Sequence, residues 1–209
     1  MTAEDYLEGQ ILLIDKPLKW SSFQAVNKLK YILKRKYNLP KKFKIGHAGT
    51  LDPLATGLLI VCTGKFTKRI TNIQAQAKEY TGTITVGATT PSYDLETEVD
   101  ATFPTEHISA QLILETTQQF LGEINQKPPV FSAIKKDGKR LYESARIGEN
   151  VIINDRDIEI LSFNISKIKF LHLRCLCKAI YKANLSFSVK STPLFSLITL
   201  YFVPGYLLI

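Results

Sequence analysis

Gly46-His47-Ala48-Gly49-Thr50-Leu51-Asp52-Pro53-Leu54-Ala55-Thr56-Gly57 is the stretch on which the reading of this chain turns. It holds one carboxylate, Asp52, set among glycines and close to a histidine. No other acid lies between Asp15 and Asp52, yet ten bases do: Lys16, Lys19, Lys28, Lys30, Lys34, Arg35, Lys36, Lys41, Lys42 and Lys44. Such an approach draws in a polyanion. A bare carboxylate at its end repels phosphate, so the arrangement suits chemistry on a nucleic acid better than binding alone.

Outward from this stretch, the pattern is of short elements of both kinds. Gly9–Asp15 reads as a buried strand, because Ile11, Leu12, Leu13 and Ile14 are continuous and bulky. Ser21 or Ser22 caps a helix running to about Lys36, with Val26, Leu29, Ile32 and Leu33 at helical spacing. Residues 37–57 read as loop, Leu58–Cys62 as a second apolar strand, and Phe66–Ile73 as helix. Tyr80–Gly87 alternates as a strand does. Pro91–Thr105 reads as loop, and Ile108–Leu121 as an amphipathic helix with Leu112, Ile113, Thr116 and Phe120 on one side. Phe131–Lys135 and Ile158–Phe163 read as strands and Leu141–Ile147 as a short helix. Strands and helices mix without the steady alternation of a doubly wound sheet. The fold class expected is α+β, on a mixed, largely antiparallel sheet with flanking helices.

Composition bounds the partners. The chain has 209 residues, 45% hydrophobic and 22% charged, ordinary globular values. Its net charge of +8 favours an anionic partner. Six of the 27 bases lie in the last 50 residues, which hold no acid, so the first 159 residues are nearly balanced. Any case for RNA or DNA therefore rests on local clusters, chiefly residues 16–44. Three cysteines, Cys62, Cys175 and Cys177, make no even disulfide framework, and a reduced, cytoplasmic setting follows. The N-terminus is acidic and is not read as a signal peptide. The apolar run Leu194–Ile209 is interrupted by Pro204 and Gly205 and is short for a membrane span, so no membrane partner is expected.

Asp52 followed by Pro53 fits a helix N-cap with proline at the first helical position. It also fits a reactive carboxylate. The glycines at 46, 49 and 57 let the backbone turn and a bulky ligand approach. The residues after Asp52 are apolar, placing it at the edge of a core, and those before it are basic. Taken singly, Tyr80 is an ordinary strand residue, His47 a loop histidine, and the lysines of residues 28–44 a solvated helix face.

As an ordered set these residues resemble a known family. Gly46–Gly57 is similar to the catalytic motif of the TruB-type tRNA pseudouridine synthases of bacteria. Gly9–Ser22, with Asp15-Lys16-Pro17, resembles that family's N-terminal block. Tyr80, Gly87 and Asp94 fall at its downstream spacing, and Lys127–Tyr142 resembles its later RNA-contacting block. The resemblance covers roughly residues 9–163. It implies a pseudouridine-synthase-like fold and isomerisation of uridine 55 in the T loop of tRNA. The N-glycosidic bond breaks, the base rotates, and a C–C bond forms to the same ribose. It further implies that Asp52 is the catalytic carboxylate, that His47 contacts the flipped-out nucleotide, and that Tyr80 stacks on the target base. No cofactor or metal is implied, the partner is the tRNA T stem-loop, and a monomer is the expected state. The physics agrees. A base inside a folded loop must be extruded to reach a protein group, an aromatic face replaces about 1–3 kcal/mol of lost stacking, and an ordinary carboxyl, pKa about 3.9, is ionised at neutral pH.

The family continues after residue 163 with a Cys-Ser-Lys-Gly-Thr-Tyr-Ile-Arg-like strand whose arginine pairs with the carboxylate. Here Cys177-Lys178-Ala179-Ile180-Tyr181-Lys182 is a loose echo, with Lys where Arg is expected, and the two are not equivalent partners for a carboxylate. The expected organisation is a catalytic domain over 1–163 and an atypical basic, apolar tail over 164–209. The compositional break is read as a loss of coding frame near residues 164–175. The alternative to an active synthase is a catalytically impaired RNA-binding or tRNA-chaperone protein of the same family.

Overall fold

The structure, a computed structural model, describes residues 1–92, 94–126, 135–136, 139–140, 156–169, 172–181 and 203–204. It divides into two compact units, one built on Met1–Gln76 and one on Ala77–Pro204.

The first unit is a three-stranded antiparallel sheet with helices. Its strands are β1 (Ile11–Lys16), β2 (Ile45–His47) and β3 (Gly57–Thr63), in the order β1-β3-β2. β3 is central because its side chains, Leu59 and Val61 above all, are nearly inaccessible. Burying each is worth about 1.5–3 kcal/mol. In register, Ile11 faces Cys62 and Lys16 faces Gly57, while His47 faces Val61. The long helix α2 (Ser22–Tyr37) lays Ala25 and Val26 on Leu59 and Val61. Farther along, its Leu33 joins Tyr6, Leu39 and Phe43 in a second cluster.

Local signals explain where α2 begins and ends. Ser21 is the N-cap, and with Gln24 it forms a reciprocal capping box. Asn38, in the left-handed region, closes the C-terminus after the basic turn Lys34-Arg35-Lys36. A short helix that the sequence reading did not anticipate, α1 (Ala3–Glu8), uses the same device with Thr2 and Asp5. The helical reading of Phe66–Ile73 resolves into a 3₁₀ turn over Gly64–Arg69 followed by α3 (Ile70–Gln74).

β1 corrects one expectation. It is not buried on both faces: Leu12 and Ile14 pack toward α2, but Ile11 is 43% and Leu13 67% exposed. An outer strand of a sheet covered by a helix on one face buries every second residue, however apolar the run.

The second unit is an antiparallel sheet of β4 (Lys78–Thr85), β7 (Gly122–Gln126), β10 (Arg156–Lys169), β11 (His172–Tyr181) and the two-residue β12 (Val203–Pro204). Their order is β12-β4-β11-β10-β7. Two small hairpins stand apart from it, β5 (Ala88–Thr89) with β6 (Ala101–Thr102), and β8 (Lys135–Lys136) with β9 (Lys139–Arg140). Helix α4 (Ala110–Gln118) packs Ile113 into a core made by Ile84, Val86, Phe163, Leu173, Cys175, Cys177 and Ala179. Thr116 and Thr117 are also buried on α4, whereas Leu112, expected on that face, is 36% exposed. No sequence signal marks β7.

Residue 163 lies inside β10, which runs on to Lys169. β11 follows and sits between β10 and β4, so the described residues 164–169 and 172–181 lie within the sheet. Every strand pairing among the described residues is antiparallel, in keeping with the α+β class. Most of Phe131–Lys135, all of Leu141–Ile147, and most of the Lys127–Tyr142 block lie outside the described residues.

Candidate active site

The loop from Ala48 to Thr56 leaves β2 and enters β3, so both its ends are fixed in one sheet. Five further bonds hold it. The Ala48 amide donates to the Ile60 carbonyl at 2.8 Å, and the Ala55 amide donates to the Asp52 carbonyl at 2.9 Å. Ser22 Oγ accepts from the Leu51 amide at 2.8 Å and donates to the Leu51 carbonyl at 3.0 Å. The Lys19 amide donates to the Pro53 carbonyl at 2.7 Å. Gly49 and Gly57 take φ of +123° and +114°, values that a side chain would strain, so two of the motif's three glycines serve the turning of the backbone. Gly46 lies within β2.

Asp52 is therefore not a helix cap. It opens a turn, with Pro53 second and Ala55 fourth, a position where Asp and Pro are both favoured. Its side chain is exposed. His47 ends β2, half-buried, and its Nδ1 donates to the Gly49 carbonyl. A carbonyl can only accept, so Nδ1 carries the proton and Nε2 is the ring atom presented for other contacts.

A cation stands beside this loop that the sequence reading counted only as part of a basic run. Lys16 is fully buried at the end of β1, opposite Gly57. Its Nζ donates to the Pro17 carbonyl at 3.0 Å and the Trp20 carbonyl at 2.6 Å. Burial pulls its pKa below the usual lysine range, and the Asp52 carboxylate pushes the other way. Asp52 is thus close enough to favour the charged ammonium. A lysine immediately before a proline, ending an apolar strand, was the available signal for it. The sequence marks Ser22 only as a helix cap and carries no signal for its grip on Leu51.

Tyr80 belongs to the second unit. It is half-buried on β4, paired with Cys177 of β11, and shares a sheet face with Gly82 and Ile84. The structure thus places His47 at the end of β2 and Asp52 on the loop that follows it, and Tyr80 on a strand of the other unit. Lys178, in the echo of the family's arginine strand, pairs with Glu79 at 3.6 Å. Asp94, at the family's downstream spacing, is a turn residue: Oδ1 accepts from the Glu96 amide at 2.9 Å.

The basic approach is solvent-facing. Lys28, Arg35, Lys36, Lys41, Lys42 and Lys44 are exposed, and none forms an ion pair among the described residues.

Residues 34–181 match the family described as TruB family pseudouridylate synthase, N-terminal domain. The chain belongs to the TruB family. It is 68% identical over 190 residues to tRNA pseudouridine synthase B of Flavobacterium johnsoniae, an alignment spanning 90% of this chain and 83% of that one. It is 54% identical over 178 residues to the protein of the same name from Phocaeicola vulgatus, spanning 83% and 74%. Among solved structures, the fold is similar to a chain in the crystal structure of a Cbf5-Nop10-Gar1 complex. That match has a TM-score of 0.59 and 22% identity, and covers 88% of this chain and 43% of that one. The TruB match extends through β10 and β11 to Tyr181, past residue 163, as far as the hairpin that fills the centre of the second sheet. Among the described residues no helix is long and apolar enough to cross a membrane.

Proposed function

We propose that this TruB chain is a tRNA pseudouridine synthase that isomerises uridine 55 of the T loop, with Asp52 as the catalytic carboxylate. The observation that carries the reading is the presentation of Asp52. An exposed carboxylate stands on a loop fixed at both ends in one sheet, tied again to the start of α2, with the buried Lys16 ammonium at its side. A nucleophile or base works best when its position is settled before substrate arrives. An ordinary carboxyl is ionised at neutral pH, as either role requires.

His47 offers Nε2 to the extruded nucleotide, its ring orientation held by the Gly49 carbonyl. Tyr80 supplies an aromatic face for the uracil, replacing the stacking lost on extrusion. The exposed bases of α2 and the following loop hold the RNA backbone through its phosphates. No redox step or group donor enters the reaction. The N-glycosidic bond breaks, the base turns, and a ring carbon bonds to the same ribose; that carbon gives up its proton and the freed ring nitrogen takes one, so the products balance without a donor.

Asp52→Asn tests the reading. Incubated with unmodified tRNA, the wild-type chain forms pseudouridine and the variant forms none, a loss of at least about 10³-fold, while tRNA affinity stays within about twofold. Pseudouridine is read by mass spectrometry of nuclease digests. Activity retained by the variant would refute the role of Asp52. A wild-type chain that binds tRNA but makes no pseudouridine would instead favour the non-catalytic RNA-binding reading.

A further inference from the structure

Pro17-Leu18-Lys19-Trp20 is a tight turn, closed by the Trp20 amide on the Pro17 carbonyl at 3.4 Å. Its third residue, Lys19, has φ of +66°. That region is favoured by glycine and disfavoured for a residue with a Cβ, and a turn with positive φ at its third position ordinarily carries Gly or Asn there. Lys19 is one of two non-glycine residues among those described with positive φ, the other being Asn38, of a type that tolerates it.

The surroundings hold the turn in this shape from three sides. The Lys16 ammonium ties together the Pro17 and Trp20 carbonyls, the two ends of the turn. The Lys19 amide reaches the Pro53 carbonyl, next to Asp52. Ser21 and Ser22 then start α2, and Ser22 grips Leu51. All these contacts are made by the backbone of Lys19 or by its neighbours. None uses its ammonium. Lys19 is exposed and forms no ion pair among the described residues. Glycine would satisfy the fold at least as well, so the lysine side chain answers to something outside it. Strain retained where the fold has no use for it points to function.

Building on the function proposed above, we propose that Lys19 is a substrate-positioning residue: its ammonium contacts a backbone phosphate of the tRNA beside the nucleotide delivered to Asp52. Its amide is bonded one residue from the carboxylate, so the cation is carried by the same rigid assembly as Asp52. A phosphate held there fixes the RNA strand relative to the reacting group and offsets the repulsion that Asp52 exerts on the backbone. The basic run of α2 gives general attraction, whereas Lys19 gives local register.

The test compares Lys19→Gly, Lys19→Ala and Lys19→Arg by filter binding of unmodified tRNA across salt concentrations, with thermal melts in parallel. Removing one phosphate contact lowers the slope of log affinity against log salt by about 0.9. With affinities equal at 1 M salt, that is about eightfold weaker binding at 0.1 M. Lys19→Gly and Lys19→Ala are expected to show this loss, and Lys19→Arg to keep wild-type affinity. Lys19→Gly should melt no lower than the wild type, since the backbone conformation suits it better. Wild-type affinity and salt slope in Lys19→Gly would overturn the proposal, as would a lowered melting temperature, which would make the lysine a structural part of the turn. A wild-type chain that binds no tRNA overturns this proposal and the functional reading together. One that binds and modifies tRNA, beside an unaffected Lys19→Gly, overturns this proposal alone.

Discussion

Ser22→Ala removes one atom and should disturb both stability and catalysis. Ser22 is 2% exposed, and its hydroxyl makes two bonds to Leu51, at 2.8 and 3.0 Å. Each is worth about 1 kcal/mol net. The half-buried Leu51 amide and carbonyl then lose their partner, which adds up to about 1 kcal/mol. Alanine at the first position of α2 returns about 0.5 kcal/mol through helix propensity. The hydrogen-bond loss wins, leaving a net destabilisation of about 1.5–2.5 kcal/mol. For a chain of this size that lowers Tm by about 3–10 °C. Leu51 precedes Asp52, and a displacement of about 1 Å at a reacting group can cost about 10²-fold in rate. The expected kinetic result is kcat reduced about 10- to 100-fold with KM for tRNA nearly unchanged, because Ser22 touches no part of the phosphate-binding surface. Melting followed by circular dichroism and single-turnover pseudouridine formation give the two readouts. A variant melting within about 1 °C of wild type and turning over at the wild-type rate would show that the loop is not held through Ser22.

Two further outcomes follow from buried groups. Thr63 is fully buried and its Oγ1 accepts from the Gln10 amide at 2.9 Å, so Thr63→Val, equal in shape but without the acceptor, should destabilise the first unit by about 1–2 kcal/mol, read from urea midpoints. Burial, aided by the neighbouring Cys175, pushes the Cys177 thiol up to about 11 from an ordinary value of 9.0. The folded chain therefore keeps a proton that the unfolded chain releases first, and stability present in full below pH 9 should fall as pH rises from about 9 through 11. Urea midpoints at pH 8, 9.5 and 10.5 should show the decline, and a midpoint constant across them would refute it.

Helix α2, strands β1, β3 and β4, and the motif loop were legible because each announces itself locally, by periodicity, by a cap, or by a rare residue string. What escaped depends on partners distant in the chain. β2 is three residues in a stretch rich in lysine and glycine, and it exists because His47 and Ile45 find Val61 and Thr63. β10 and β11 were obscured by the compositional break, and also by register shifts between Ile160 and Ser162 and between Ile165 and Lys167. Such bulges reset the two-residue alternation by which a strand is read. At the site, His47 and Asp52 could be picked out from their motif. Lys16 and Ser22 could not be assigned their parts, since a lysine's burial and a serine's grip on a loop near residue 51 are facts of strand pairing and helix docking.

The pairing of β1 with β3 also governs the sign of the charge next to Asp52. Along β1, Asp15 faces solvent and Lys16 is enclosed, simply because consecutive side chains point opposite ways. A slip of one residue, or an insertion of one codon between Ile11 and Ile14, would carry Asp15 to the place opposite Gly57 and turn Lys16 outward. An enclosed cation would become an enclosed anion, and two carboxylates would then compete for ionisation where one is now favoured. Indels in this strand should therefore silence the protein even where the sheet survives. Apolar exchanges among Ile11, Leu12, Leu13 and Ile14, which keep the count, should be far better tolerated.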